Sequence, residues 1–148
     1  MSMLRILPDQ VAEQWNVIRP AIEASMPAYI RESETRMSNI LTSIMVGNMD
    51  CWVIEEGDRT AQAILLTLFT MDPAGDKSLC VYSMYGYERV TIDIWKEVVE
   101  CMAKWGRANG CFSVTVYSEN PKMVGALERY TVSERTSFLT QSMITIFI

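Results

Sequence analysis

The chain contains no histidine, and so lacks the side chain whose ordinary titration falls near neutral pH. Ser-His and Cys-His nucleophile pairs go with it, as does a mixed Cys/His zinc site. Any proton transfer must use a carboxylate, a tyrosine, a cysteine, a lysine or water. Cysteine is sparse: four residues, at 51, 80, 101 and 111, with no C-x-x-C spacing. That pattern predicts buried, reduced thiols in a cytoplasmic protein rather than a disulfide framework or a metal site. No apolar run reaches the roughly 20 residues needed to span a bilayer, and no apolar leader with a small-residue cleavage site opens the chain, so no membrane partner is expected. Basic charge is also in deficit. Thirteen Lys and Arg against eighteen Asp and Glu leave a net charge of -5, which argues against bulk nucleic-acid binding.

What is present organises around residues 79–120. Leu79 to Tyr85 is apolar on both faces, as a strand buried from both sides should be, and Gly86 ends it. From Thr91 to Asn109, Trp95, Val99, Met102 and Gly106 recur at helical spacing, while Lys96, Glu97, Glu100, Lys104 and Arg107 take the other faces. Gly110 reads as a C-terminal cap, and Cys111 to Tyr117 resumes strand composition. The unit predicts a right-handed βαβ crossover with two parallel strands.

Upstream, Met3 to Leu7 reads as a short strand closed by Pro8. A helix follows with Val11, Trp15, Ile18 and Ile22 on one face, and Pro20 should kink or split it. A second helix from Ser33 turns Met37, Ile40 or Leu41, and Ile44 inward and ends at Gly47-Asn48. Cys51 to Glu56, a turn at Gly57 to Arg59, and Thr60 to Thr70 read as a hairpin, and Met71 to Asp76 as the next turn. Downstream, Pro121 suits the start of a short helix from Lys122 to Tyr130, and Ser137 to Ile148 reads as one apolar strand tucked into the sheet. At 148 residues, the chain is expected to form one domain over 1–148.

This order of elements, with particular residues, resembles the GNAT family of acyl-CoA N-acyltransferases. Ala103 to Cys111 is similar to the family's A-x-x-x-G-C helix ending. Val116, Asn120 and Val124, followed by Leu127-Glu-Arg129, are similar to its V-x-x-x-N-x-x-x-V and L-E-K/R. The chain looks like the short, divergent members found in phage and prophage genomes. The resemblance implies a mixed α/β fold, with a mostly antiparallel central sheet, one parallel βαβ crossover and helices on both faces. It implies acetyl-CoA or CoA as the cofactor bound, with the acyl thioester as donor, and an amine, on a small molecule or a protein, as acceptor. Backbone groups at Ser83, Met84 and Tyr85 would then polarise the acyl carbonyl. Arg89, Val90, Thr91 and Asn120 would meet the cofactor, and Tyr85 or Glu88 would handle the proton.

The departures fall in the pyrophosphate loop. By count, the family's loop glycines become Thr91 or Asp93, and Trp95, while Arg89 fills the opening basic place. A Trp ring would obstruct the approach of a phosphate. Asp93 would repel it by about 1 kcal/mol in a solvated setting. Leu127 stands where many members carry a general-acid tyrosine, with Tyr130 almost a turn later, and the final strand pair looks abbreviated. The alternative reading is therefore an interaction or dimerisation module that kept the fold and lost CoA, pairing as a homodimer through the C-terminal strand. A third reading is a binder of some other small ligand. Two readings of Tyr82, Tyr85, Tyr87, Glu88 and Arg89 also stay open: a proton-handling cluster at the end of the central strand, or packed tyrosines beside a surface ion pair. Glu55 and Glu56, adjacent on a strand, point to opposite faces and cannot be a carboxylate dyad.

Overall fold

A computed structural model describes residues 2–57, 60–87, 91–117, 136–140 and 143–147. The elements run β1 (Ser2–Ile6), α1 (Pro8–Glu13), α2 (Trp15–Ser25), α3 (Ala28–Arg31), α4 (Glu34–Met45), β2 (Asp50–Glu56), β3 (Thr60–Met71), β4 (Lys77–Gly86), α5 (Ile92–Ala108), β5 (Ser113–Tyr117), β6 (Thr136–Thr140) and β7 (Met143–Phe147). The strands are ordered β1-β2-β3-β4-β5-β7-β6. The β4–β5 pair is parallel, whereas β1–β2, β2–β3, β5–β7 and β6–β7 are antiparallel. This is the mixed sheet with one parallel crossover that the sequence predicts. No helix among the described residues is long and apolar enough to cross a membrane.

The chain divides into two compact units, Met1–Leu68 with Ser83–Arg89, and Phe69–Tyr82 with Val90–Ile148. In the first unit, Val11, Ile18, Ile22, Met37, Ile40 and Ile44 lie on the buried sides of α1, α2 and α4, and Cys51, Trp52, Ile54, Ala63, Ile64, Leu65, Leu66 and Thr67 are the buried residues of β2 and β3. Gly47, at φ 83°, ends α4 by a double hydrogen bond: its own N–H reaches the Ile44 carbonyl and that of Asn48 reaches Ser43. The expected break in the first helix falls at Gln14 rather than at Pro20, which lies inside α2. Proline has no N–H and crowds the carbonyl four residues earlier. That carbonyl belongs to Asn16, in the first turn of α2, just after the break. The four-residue helix α3 is an element the sequence reading does not predict.

In the second unit, α5 is capped at both ends. The Thr91 hydroxyl accepts from the Ile94 N–H, while at the other end the N–H groups of Gly110 and Cys111 reach the carbonyls of Arg107 and Gly106. Its buried side carries Ile94, Trp95, Val98 and Met102, so Val98 takes the place expected of Val99, which is half-buried. All four cysteines are free thiols, three of them buried and Cys101 half-buried. The single terminal strand expected over 137–148 is two strands, β6 and β7. β7 lies between β5 and β6. The short helix expected over 122–130 lies outside the described residues.

Candidate functional site

Strand β4 is where the two units exchange chain. Its parallel register with β5 runs from Ser78↔Ser113 to Val81↔Val116, and the Ser78 and Ser113 hydroxyls meet at 2.7 Å. Beyond Val81 no β4 residue is in register with β5 among the described residues, yet β4 continues to Gly86. From Ser83 onward it belongs to the first unit.

The strand's two-residue alternation puts Ser83 and Tyr85 on one side and Met84 on the other. Ser83 is buried, with 4% of its surface exposed, and its hydroxyl lies 2.5 Å from that of Ser25 at the end of α2. Ser25 Oγ in turn donates to the Ile22 carbonyl at 2.7 Å. Two residues past Tyr85, the Tyr87 N–H donates to the Gln62 carbonyl at 2.9 Å. Gln62 is the extra residue of a bulge on β3, since Ile54 pairs with Ala63 but Glu55 with Ala61. The bulge thus offers a carbonyl that anchors the chain as it leaves β4.

The rings of Tyr85 and Tyr87 meet edge to face, with centroids 5.0 Å apart and planes at 89°. Burial, then the neighbouring Tyr85 and Cys51, push the Tyr87 phenol above its ordinary pKa. Burial first, and then Asp50, push the Cys51 thiol up to about 12. Both acids therefore keep their protons at neutral pH.

Of the residues predicted from sequence, Ser83, Met84 and Tyr85 stand together at the end of β4 in the first unit. Thr91 lies in the second unit, where its hydroxyl serves the helix cap at 3.4 Å from the Ile94 nitrogen. Glu88, Arg89, Val90 and Asn120 lie outside the described residues. Trp95 packs on the buried side of α5, and Asp93 is exposed in its first turn. Ser25 and Gln62 have no signal in the sequence pattern, because Ser25 and Ser83 are 58 residues apart and the bulge shows only in the pairing.

No protein-family model and no curated protein matches the chain. Among solved structures, it is similar to a predicted acetyltransferase with acetyl-CoA from Clostridium acetobutylicum, with 11% identity and a TM-score of 0.64 over 94% of each chain. It is also similar to glucosamine-6-phosphate N-acetyltransferase from Arabidopsis thaliana, with 12% identity and a TM-score of 0.60 over 94% of this chain and 95% of that one. An aminoglycoside acetyltransferase from an uncultured soil metagenomic sample, in complex with sisomicin, matches with 12% identity and a TM-score of 0.64, over 94% of this chain and 91% of that one. At these identities the likeness is one of fold, and the fold of this chain is that of the GNAT acyltransferases.

Proposed function

We propose that the chain is a divergent cytoplasmic N-acyltransferase that moves an acetyl or other acyl group from acyl-CoA to an amine. The observation that supports this reading is the fold, similar to that of solved acetyltransferases, in which β4 pairs in parallel with β5 and runs on to carry the peptide N–H groups of Ser83 to Tyr85. Acyl-CoA supplies a thioester carbonyl, and those N–H groups polarise it as negative charge develops on its oxygen. The amine nitrogen bonds to the carbonyl carbon as the C–S bond breaks, and the thiol leaves with the electron pair. Glu88 or water takes the proton from nitrogen, and the Tyr85 phenol returns one to the thiolate. No covalent enzyme intermediate is needed, in keeping with a chain that has no histidine.

The two ends of the donor fit this chain unequally. The acyl end would meet the peptide groups of Ser83 to Tyr85 on β4. At the start of α5, by contrast, the Thr91 hydroxyl already engages the Ile94 N–H and Asp93 adds negative charge to the first turn. Those two residues favour a second reading, an interaction module that keeps the fold without binding CoA. Calorimetric titration of acetyl-CoA and free CoA into the full chain separates the two. Micromolar binding, with transfer to at least one amine of a panel, supports the transferase. The absence of binding would leave the interaction module.

A further inference from the structure

We propose that Asn109-Gly110 is a latent modification site: a spontaneous deamidation junction that the C-terminal cap of α5 holds shut and that reacts with water only when that cap opens. Neither the junction nor its cap depends on acyl transfer.

The chain has one Asn-Gly pair, and it stands here. Asparagine is thermally labile, most of all before glycine, where no Cβ screens the following peptide nitrogen. In the reaction the Gly110 nitrogen gives up its proton and bonds to Asn109 Cγ. The Cγ–Nδ2 bond breaks, and Nδ2 leaves as ammonia with that proton. The product is a succinimide ring made of Gly110 N and Asn109 C, Cα, Cβ and Cγ. Water opens the ring at Cγ to give aspartate, or at the main-chain carbonyl carbon to give an isoaspartyl link, whose main chain is longer by a carbon.

The fold opposes every requirement of ring closure. The ring needs the Gly110 nitrogen on the same side as Asn109 Cβ. Asn109 ψ is 14°, so that nitrogen nearly eclipses Asn109's own nitrogen and stands about a third of a turn from Cβ. Turning ψ would break the bonds that close the helix, in which the Gly110 N–H donates to the Arg107 carbonyl at 3.1 Å and the Cys111 N–H to that of Gly106 at 2.8 Å. The leaving group is held too, since Asn109 Nδ2 donates to the Trp105 carbonyl at 2.8 Å. From β4, Lys77 Nζ donates to the Asn109 carbonyl at 3.0 Å while lying 4.3 Å from the centre of the Phe69 ring. All these groups belong to the second unit. Gly110 is exposed and Asn109 half-buried, so water reaches the junction once the cap opens. Reaction is then one-way. The added carbon of an isoaspartyl link displaces the Gly110 and Cys111 N–H groups from their carbonyls, and the cap cannot close again.

The first measurement uses the wild-type chain alone. Folded protein and the same chain unfolded in urea are incubated side by side at one mildly alkaline pH, and mass spectrometry of the peptide carrying Asn109 times its deamidation. The folded chain should react at least about tenfold more slowly, and equal rates would overturn the latent site. Two variants then locate the opening. Lys77→Met keeps the stem of the side chain and removes the donor to the Asn109 carbonyl, so the folded rate should rise roughly three- to tenfold. Its rate in urea, set by the residues next to Asn109, should stay where it is. Gly47→Ala weakens the end of α4, in the other unit, and should leave the folded rate unchanged. A Lys77→Met rate equal to that of the wild type, or a rise in Gly47→Ala as large as that in Lys77→Met, would mean that the cap is not what holds the junction. The isoaspartyl form, separated by chromatography and returned to native buffer, should exchange its Cys111 amide hydrogen at least about tenfold faster than the unmodified chain. Exchange at the unmodified rate would sink the one-way step.

Discussion

The Ser83 hydroxyl gives its proton to Ser25 and not the reverse. Ser25 Oγ has one proton, and the Ile22 carbonyl, 2.7 Å away, can only accept it. In the 2.5 Å contact between the two hydroxyls, Ser83 is therefore the donor. This direction makes the two serines unequal. Ser83→Ala removes a donor and leaves Ser25 still bonded to Ile22, at a cost of about 1 kcal/mol. Ser25→Ala strands a buried hydroxyl at Ser83 and should cost more, about 1–3 kcal/mol. Urea denaturation of both single variants and the double checks the order, and the double should lose less than the sum of the two. Equal single losses would mean that the Ser83 hydroxyl has a further partner.

Gly110 holds φ at 76°, with nothing within 4 Å of the place a Cβ would take. The cost of Gly110→Ala is then conformational and not steric, about 1–2 kcal/mol. Gly47, at φ 83° and equally open, should behave the same way. Gly57, also open but without a positive φ, is the control, and Gly57→Ala should be close to neutral. Thermal melts of the three variants measure this directly.

Stability should fall at alkaline pH. Burial pushes the Cys51 and Cys80 thiols from 9.0 up to about 12. Between those values the unfolded chain has released protons that the folded chain still holds, so raising the pH favours unfolding. The stability these thiols hold is fully present below about pH 9 and is lost as pH rises toward 12, with a slope of at most about 1.4 kcal/mol per pH unit for each. Tyr87, also raised by burial, adds to the fall above pH 10. Urea midpoints measured from pH 7 to 11 should show the decline. The Cys51→Ala, Cys80→Ala double variant should show a shallower one, whatever its absolute stability; an unchanged slope would assign the decline to other groups.

The charge at the start of α5 is testable through the donor. Asp93 is exposed in the first turn, and removing its charge relieves a repulsion of about 1 kcal/mol toward phosphate. Asp93→Asn should therefore tighten acetyl-CoA binding about fivefold, with the gain shrinking as salt is raised. The same Kd in both proteins would mean that the phosphates do not meet this helix end.

Much of the architecture is legible along the chain because its causes are local. Helical spacing announces α4 and α5, glycines that adopt positive φ close both helices, and proline and glycine punctuate the strands. The stretch from Leu79 to Tyr85 reads as a strand for the same reason, and with it the position of Ser83, Met84 and Tyr85. Other features arise only where distant segments meet. The buried side of α5 selects Val98 over its neighbour Val99 because packing, not spacing alone, fixes the rotation of the helix. The division of the terminal stretch into β6 and β7 depends on β7 pairing with β5 on one side and β6 on the other, which composition does not encode.

The candidate site shows the same division. Composition by itself determined that no histidine chemistry operates here, and local pattern placed three tyrosines at the end of one strand. Tertiary structure alone decided that β4 pairs in parallel with β5 from Ser78 to Val81, that Ser25 receives the Ser83 proton, and that a bulge at Gln62 presents a carbonyl to Tyr87. The reason is physical: propensity and periodicity act over a few residues, whereas a hydrogen bond between residues 58 apart exists only after the chain has paid the entropy of bringing them together.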